Sequence, residues 1–396
     1  MKKLLFGIIL LLTGIVKVEA QEPVEVYGYF ETQIMGAMIE ESFNHVQSNK
    51  LRVDLSSDIS DKIAFSANFD YITYHGKKRW KVLNYLSDDI VSQVPQNMRQ
   101  FYVLPFNDRD FLDNAFVEIA FKHVDLTAGK QQISLGTGYA WNPTDVFNVK
   151  DLLDPTYEQP GHNAIRLDVP IGLKYTVSAL YAPEDVFSQS AKMLRFKGRI
   201  GHFDYILTGI EKRWTFTDYT QLSPDQQGFL PLPEKRQVLG VATAGELLGL
   251  GVWAEYAWNS MERTEDFYGL VVGTNYTFDF QTYVMLEYYR NTLGKTDSDE
   301  YNLNDWMRFL SSEQKVLSRD QVYFLVQHPL TDFVSAGIST IYSLSDNSMV
   351  IAPTIEYSFA QNVQITAYLN FNIGEEGTAY SDMQGNGGLI RARVYF

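Results

Sequence analysis

From Gln21 onward, hydrophobic and polar positions alternate with a period of two. Ile365, Ala367, Leu369 and Phe371 fall on one face, and Gln364, Thr366, Tyr368, Asn370 and Asn372 on the other. This is the pattern of a strand with one apolar and one wet side. Ile63, Phe65, Ala67, Phe69 and Tyr71 oppose Ala64, Ser66, Asn68 and Asp70 in the same way. The alternation predicts eighteen strands, at about 25–36, 49–57, 61–74, 113–121, 124–135, 164–169, 171–182, 191–200, 203–215, 235–243, 249–259, 265–278, 281–291, 319–328, 332–343, 347–358, 362–372 and 386–396. Most reach the roughly nine to eleven residues that a tilted membrane strand needs. The segment 164–169 is short for a span, which places its true start earlier.

Connection lengths alternate as well. Tight links at 58–60, 122–123, 201–202, 279–280, 329–331 and 359–361 are interleaved with longer segments at 37–48, 75–112, 136–163, 216–234, 292–318 and 373–385. Short periplasmic turns facing long extracellular loops, with an even strand count, are the layout of an outer-membrane barrel. A soluble sandwich or propeller is the alternative for an alternating all-β chain, but it needs neither strands this long nor one loop-laden end. The expected fold is therefore all-β, a single transmembrane antiparallel barrel over residues 21–396.

The first twenty residues change the picture only by adding an address. Lys2 and Lys3 precede an apolar stretch from Leu4 to Val16, and Val18-Glu19-Ala20 carries small residues at the cleavage positions, so 1–20 reads as a cleaved secretory signal. No later segment has the ~18 uninterrupted apolar residues of a membrane helix. The formal charge is −15, and losing three lysines and one glutamate with the signal makes it −17. Such a chain lacks the basic face that nucleic acid requires. The absence of cysteine removes disulfides, thiol catalysis and cysteine-ligated metals. The alternation runs to the aromatic Phe396, and this ending resembles the terminal strand that barrel assembly machinery reads, making that machinery and outer-membrane lipid the expected partners.

If the apolar face meets lipid, the other face lines the lumen. An Arg or Lys at the lipid midplane costs about 2–4 kcal/mol, which directs Arg52, Glu118, Arg166, Arg195, Lys197, Arg199, Arg236, Arg391 and Arg393 inward or to the rim, together with Asp54, Asp168, Glu255, Glu287 and Glu356. Arg195, Lys197 and Arg199 form a ladder on one strand. They either attract anions or pair with lumenal carboxylates and brace the wall. Lys130 shares its parity with Leu126 and Ala128. A bulge at Gly129 turns it into the pore, or else it snorkels at the interface.

The stretch Gly129-Lys130-Gln131-Gln132-Ile133-Ser134-Leu135-Gly136-Thr137-Gly138 runs into Tyr139-Ala140-Trp141-Asn142-Pro143-Thr144-Asp145. It resembles the porin-like channels of the alginate-export kind and related outer-membrane families, where a Gly-basic-Gln strand leads through a Gly-rich turn into an Asn-Pro-Thr-Asp segment. Leu135 stands where such relatives commonly have Trp. The resemblance implies a barrel of similar strand number that passes sugars, uronates or other small organic solutes.

A loop this long with several apolar residues packs on something or carries function. Trp141, Asp145, Phe147, Asp151 and Asp154 are expected to form a constriction, with Trp141 and Phe147 tucked into the mouth and Asp145 capping a turn. The alternative is a flap outside the rim. No pair of His has metal-ligand spacing, no Gly-rich stretch leads into Lys-Ser/Thr, and no triad is nameable. No enzyme, metal or cofactor is expected. The sequence reads as a passive channel for small polar or anionic solutes. The competing reading is a plugged structural or surface-interaction barrel that binds polysaccharide or a protein.

Overall fold

A computed structural model describes residues 24–39, 42–150, 152 and 158–396. The signal segment, Asp151 and Asp154 lie outside the described residues. Eighteen antiparallel strands close into one barrel. In chain order these are β1 Glu25–Ile39, β2 Ser42–Ser60, β3 Ile63–Gly76, then, after a small hairpin of β4 Arg79–Lys81 and β5 Val103–Pro105, β6 Arg109–Ala120, β7 Asp125–Gln132, β8 Gly161–Ile171, β9 Tyr175–Ala182 and β10 Ala191–Ile200. The circuit continues through β11 Phe203–Leu222, β12 Phe229–Leu247, β13 Leu250–Met261, β14 Phe267–Thr277, β15 Tyr283–Asn291, β16 Asp320–Thr331, β17 Val334–Ser343, β18 Met349–Ala360, β19 Val363–Ile373 and β20 Asn386–Tyr395. Each strand pairs with its neighbour, and β20 returns to β1.

All eighteen expected strands are present, and 164–169 does begin earlier, at Gly161. The segment 37–48, expected as a loop, is instead mostly strand, because the β1–β2 hairpin keeps pairing from Gly36↔His45 to Ile39↔Ser42. Likewise β11 and β12 pair far into 216–234. Interstrand hydrogen bonding continues there beyond the apolar band, where the hydrophobic alternation no longer marks it.

Alternation sorts the two faces. Leu194, Leu239 and Ile390 are each more than 60% exposed on the outside, and an exterior of this kind suits hydrocarbon rather than water. On β19, Leu369 and Phe371 point out while Thr366 and Tyr368 are buried within. Two helices, α1 Asp88–Ser92 and α2 Leu303–Leu310, come from the long connections. Leu86, Ile90, Val94, Met98 and Tyr102 from one connection join Leu303, Trp306, Met307, Val316 and Leu317 from another, against inner-wall residues Trp253, Met285, Tyr289, Tyr323 and Ile341. The side of the lumen formed by β13–β18 is therefore filled by an apolar core.

The seam closes on the last residue: Phe396 N donates to Gly28 O at 3.0 Å and Gly28 N to Phe396 O at 3.1 Å. Deleting Phe396 removes both bonds, at roughly 1 kcal/mol each. The expected result is a lower yield of heat-modifiable barrel, scored by gel shift after refolding in detergent and in cell envelopes. A deficit confined to cells would assign the residue to assembly rather than to seam closure, and normal yields in both would remove either role.

Candidate functional site

The segment after β7 does not stay outside. Ile133 and Leu135 are buried, and Ala140, Trp141, Asn142, Thr144 and Asp145 follow them into the barrel. Drawing a non-repetitive chain out of water requires a partner for each backbone N–H and C=O. Two inward-pointing glutamates provide the acceptors. Glu255 on β13 accepts from Thr137 N at 2.7 Å and from Thr144 N and Oγ1 at 2.6 and 2.7 Å. Glu287 on β15 accepts from Tyr139, Ala140 and Trp141 N at 2.7, 3.0 and 2.8 Å, and from Trp253 Nε1 at 2.6 Å. Both carboxylates are at most 1% exposed.

Three lysines provide the donors. Lys150 Nζ donates to Gly138 O and Tyr139 O, Lys315 Nζ to Asn142 O and Asp145 O, and Lys212 Nζ to Val146 O. Burial lowers the Lys150 ammonium from its ordinary value, against the pull of Glu287 and Asp145. Asp145 accepts from Phe147 N and Asn148 N, so it closes a turn, but no helix follows. Trp141 stacks on Tyr289 at 5.1 Å, and Phe147 lies beside His162 and beneath Lys212.

Two wall glycines admit this contact. A Cβ at Gly240 would collide with Thr144 Cγ2, and one at Gly269 would come within 2.9 Å of Pro143 Cβ. Glycine in a strand interior marks such a backbone approach.

The far end of the same segment reaches the opposite wall. Glu158 accepts from Tyr29 OH and Lys50 Nζ, both at 2.7 Å, with Arg52 at 3.4 Å and Arg393 at 3.5 Å. Around the eighteen strands, β2 stands nine places from β13, so the segment touches both sides of the barrel. Burial works to raise the Glu158 carboxyl, yet Lys50, Tyr29 and Arg393 outweigh it and hold it below its ordinary value of 4.5.

Register places Arg52, Glu118, Arg166, Arg195, Lys197, Arg199, Arg236, Arg391 and Arg393 on the inner face. Glu118, for example, pairs with Thr127, which in turn pairs with Arg166. Lys130 is a correction. Gly129 has φ +128°, but the β7 register runs through it unshifted, and Lys130 stays on the outer face opposite Ala115 and Asn163. Its Nζ reaches Leu112 O at 2.6 Å. The irregularity lies in β6, between the partners of Asn68 and Phe69, where Asp113 is the extra residue.

Most inner cations are already paired. Arg52 meets Asp54 and Asp113, Arg166 meets Asp168, Arg391 and Arg393 meet Glu31, and Lys197 and Arg199 share Asp204 at 3.1 and 3.5 Å. Among the described residues, Arg195 and Arg236 have no ion pair, and Arg195 Nε is buried without an acceptor. Sequence reasoning placed Glu255 and Glu287 in the lumen but not their grip on the loop, and it missed Lys50, Lys150, Lys212, Glu158 and Lys315 altogether. The α2 capping box of Asn302 and Asp305 was the available signal for the helix that precedes Lys315.

No family model matches the chain and no curated protein does, so the likeness of 129–148 to alginate-export channels finds no support there. Solved structures of barrels are similar in fold. A loop-deletion mutant of OmpT, an outer membrane protein of Vibrio cholerae, is 14% identical with a TM-score of 0.48 over 94% of this chain and 99% of its own. A triple mutant of the Rh. blastica porin is 11% identical with a TM-score of 0.47 over 94% and 100%. Identities this low carry no correspondence between residues.

Replacing Glu287 by Ala orphans four buried donors, at about 1–3 kcal/mol each. The segment is then expected to leave the wall, as it is in Gly240→Val. Trypsin cleavage after Lys150 should accelerate at least tenfold in both variants while the barrel remains heat-modifiable; unchanged protection would contradict the anchoring. The Glu158 anchor has a depressed folded-state value, so its stabilisation is complete above about pH 4.5 and is lost as pH falls through the lower folded-state value. Acidification should expose Lys150 in the wild type, and less so in Glu158→Gln.

Proposed function

We propose that this barrel resides in the outer membrane, exported by its N-terminal signal and inserted by barrel assembly machinery, and that it passes small polar or anionic solutes by diffusion. The observation that carries the reading is the segment 133–148, held inside the lumen by Glu255 and Glu287. A barrel of this size without an obstruction leaves an aqueous bore, and a pinned loop narrows it.

The free route follows the charged side. Aromatic and aliphatic side chains fill the mouth against β13–β18, whereas β20, β1, β2 and β3 and then β8 to β10 carry Arg393, Glu31, Arg52, Asp70, Arg166 and Arg195. Paired charges of both signs offer hydrogen bonds in close succession without a deep trap, which conduction requires. Solutes bearing hydroxyls and a carboxylate, such as sugars or uronates, suit that lining. Asp145 belongs to the loop's own turn, so it shapes the constriction more than it screens ions. The apolar mouth favours one second reading, a plugged barrel whose outer surface binds polysaccharide or protein.

Planar-bilayer recording separates the two. A channel gives discrete conductance steps, larger in Glu287→Ala; silence in both proteins would support the plug. Reversal potential across a salt gradient should move toward cation preference in Arg195→Ala, more at low salt where the screening length is longer. Lys197→Ala should shift it less, because Asp204 already balances that side of the ladder. Equal shifts would refute the role given to Arg195.

A further inference from the structure

A pocket lies against the inserted segment. A partly open cavity of about 260 Å³ lies between Pro143–Val149, the inner wall of β11 to β15, and the connection that follows α2. Lys212, Arg236 and Lys315 all line it. Among the described residues none of the three has a carboxylate within ion-pair distance; each gives its recorded hydrogen bond to a neutral oxygen.

Their donor capacity is largely unspent. Lys212 uses one of three protons, on Val146 O, and Lys315 two of three, on Asn142 O and Asp145 O. Arg236, only 8% exposed, uses one of five N–H groups, from Nε to Asn259 Oδ1 at 2.8 Å. Its guanidinium carbon lies 4.3 Å from the Trp214 ring centroid and 5.3 Å from that of Phe267. Two acids also line the cavity, and both are engaged: Asp145 with Phe147 N and Asn148 N, and Glu313 with Thr217 and Tyr219. Among the lining residues the cations outnumber the acids three to two, and Glu255 acts on Lys315 from outside the lining. Burying a cation short of acceptors is costly, and the rest of the lining is mixed, with Val146, Phe147, Phe267 and Leu293 apolar and Asn148, Thr215, Asn259, Asn291 and Ser312 polar.

We propose that this cavity binds one small organic monoanion, a carboxylate on an apolar body, whose oxygens take the open donors of Arg236, Lys212 and Lys315 while its body packs on Phe147 and Phe267. The volume lies just under the ~300 Å³ at which ligand pockets begin, so the occupant is small. Its position is decisive for the loop: the walls that would grip the ligand are the segment 143–149 on one side and the barrel on the other, so an occupant fastens the constriction to β11 and β12. The proposal does not require the barrel to conduct.

Ionisation sets a further condition. Burial brings the Lys315 ammonium down to about 8, with Asp145 and Glu255 supporting its charge and Arg236 and Lys150 opposing it. It is charged below that pH and neutral above it, so anion affinity should fall as pH rises through 8.

Benzoate is a suitable probe, titrated calorimetrically into the detergent-solubilised full chain against empty micelles. Saturable one-to-one binding is expected at pH 7, at least tenfold tighter than for the neutral isostere benzyl alcohol, undetectable for benzylamine, and weaker at pH 9.5. Lys315→Met and Arg236→Gln should each lose tenfold or more, and Lys122→Ala, at an exposed turn, nothing. Gel mobility before and after heating verifies folding, and Lys315→Arg retains the charge should Lys315→Met fail to fold. Equal affinity for benzoate and benzyl alcohol, absence of saturable binding in the wild type, or wild-type affinity in folded Lys315→Met or Arg236→Gln would overturn the proposal. Conductance measured on the same preparation is independent of these outcomes.

Discussion

The structure turns on backbone hydrogen bonding in a place where water is scarce. A strand meets this need through its neighbours, but the segment after β7 has none, and its N–H groups would otherwise be buried without acceptors. Glu255 and Glu287 solve the problem because an ionised carboxylate has about four lone-pair sites and accepts from several donors at once. Three donors converge on one and four on the other. A neutral amide at either position would turn a donor toward donors. The carbonyls of the same segment go to Lys150, Lys212 and Lys315, so acids read one side of the chain and amines the other.

That solution makes the lumen lopsided. Strands that receive the loop carry small residues facing it, Gly240 and Gly269, and the neighbouring connections pack Trp306, Tyr301 and Tyr102 against the same side. Strands opposite carry the ions. There Glu31 joins Arg391 and Arg393 across the β1–β20 seam, and Arg52 joins Asp54, Asp113 and Glu158 beside it. Charged pairs inside the barrel are weak contributors to stability once desolvation is counted, and those of Glu31 with Arg391 and Arg393 cross the one joint the chain does not make consecutively.

Strands were legible because each exposes one face to hydrocarbon and one to a polar interior, and that contrast is written residue by residue in 63–71 and 364–372. Where the outer face no longer meets hydrocarbon and inward residues such as Tyr219, Leu222 and Phe229 pack on other connections, the contrast vanishes, so the pairing of 36–39 with 42–45 and of 216–222 with 229–234 was invisible. Lys130 divides the two readings its parity left open. The bulge that would turn it into the pore is not formed, and the long stem lets Nζ reach the Leu112 carbonyl along the outer wall instead. Inward placement of Glu255 and Glu287 followed from parity alone. Their task did not, since it depends on a segment more than a hundred residues away in sequence. Lys315 was least legible of all, because a lysine in a connection carries no periodic signal.

The pairing of inner charges also limits what the ladder does. Arg195, Lys197 and Arg199 look equivalent in sequence, yet Asp204 faces two of them, and a solute near those two meets a nearly balanced field. Arg195 stands opposite the neutral Ser178 and Thr208, and Glu255 and Asp168 act on it only from beyond ion-pair distance. Interaction between charges grows as the surrounding dielectric falls, so a guanidinium without a close partner acts on its surroundings more than a paired one does. The sign of the whole chain, −15, says nothing about this. The selectivity proposed for this barrel therefore rests on which inward-facing cations lack a close partner rather than on how many there are.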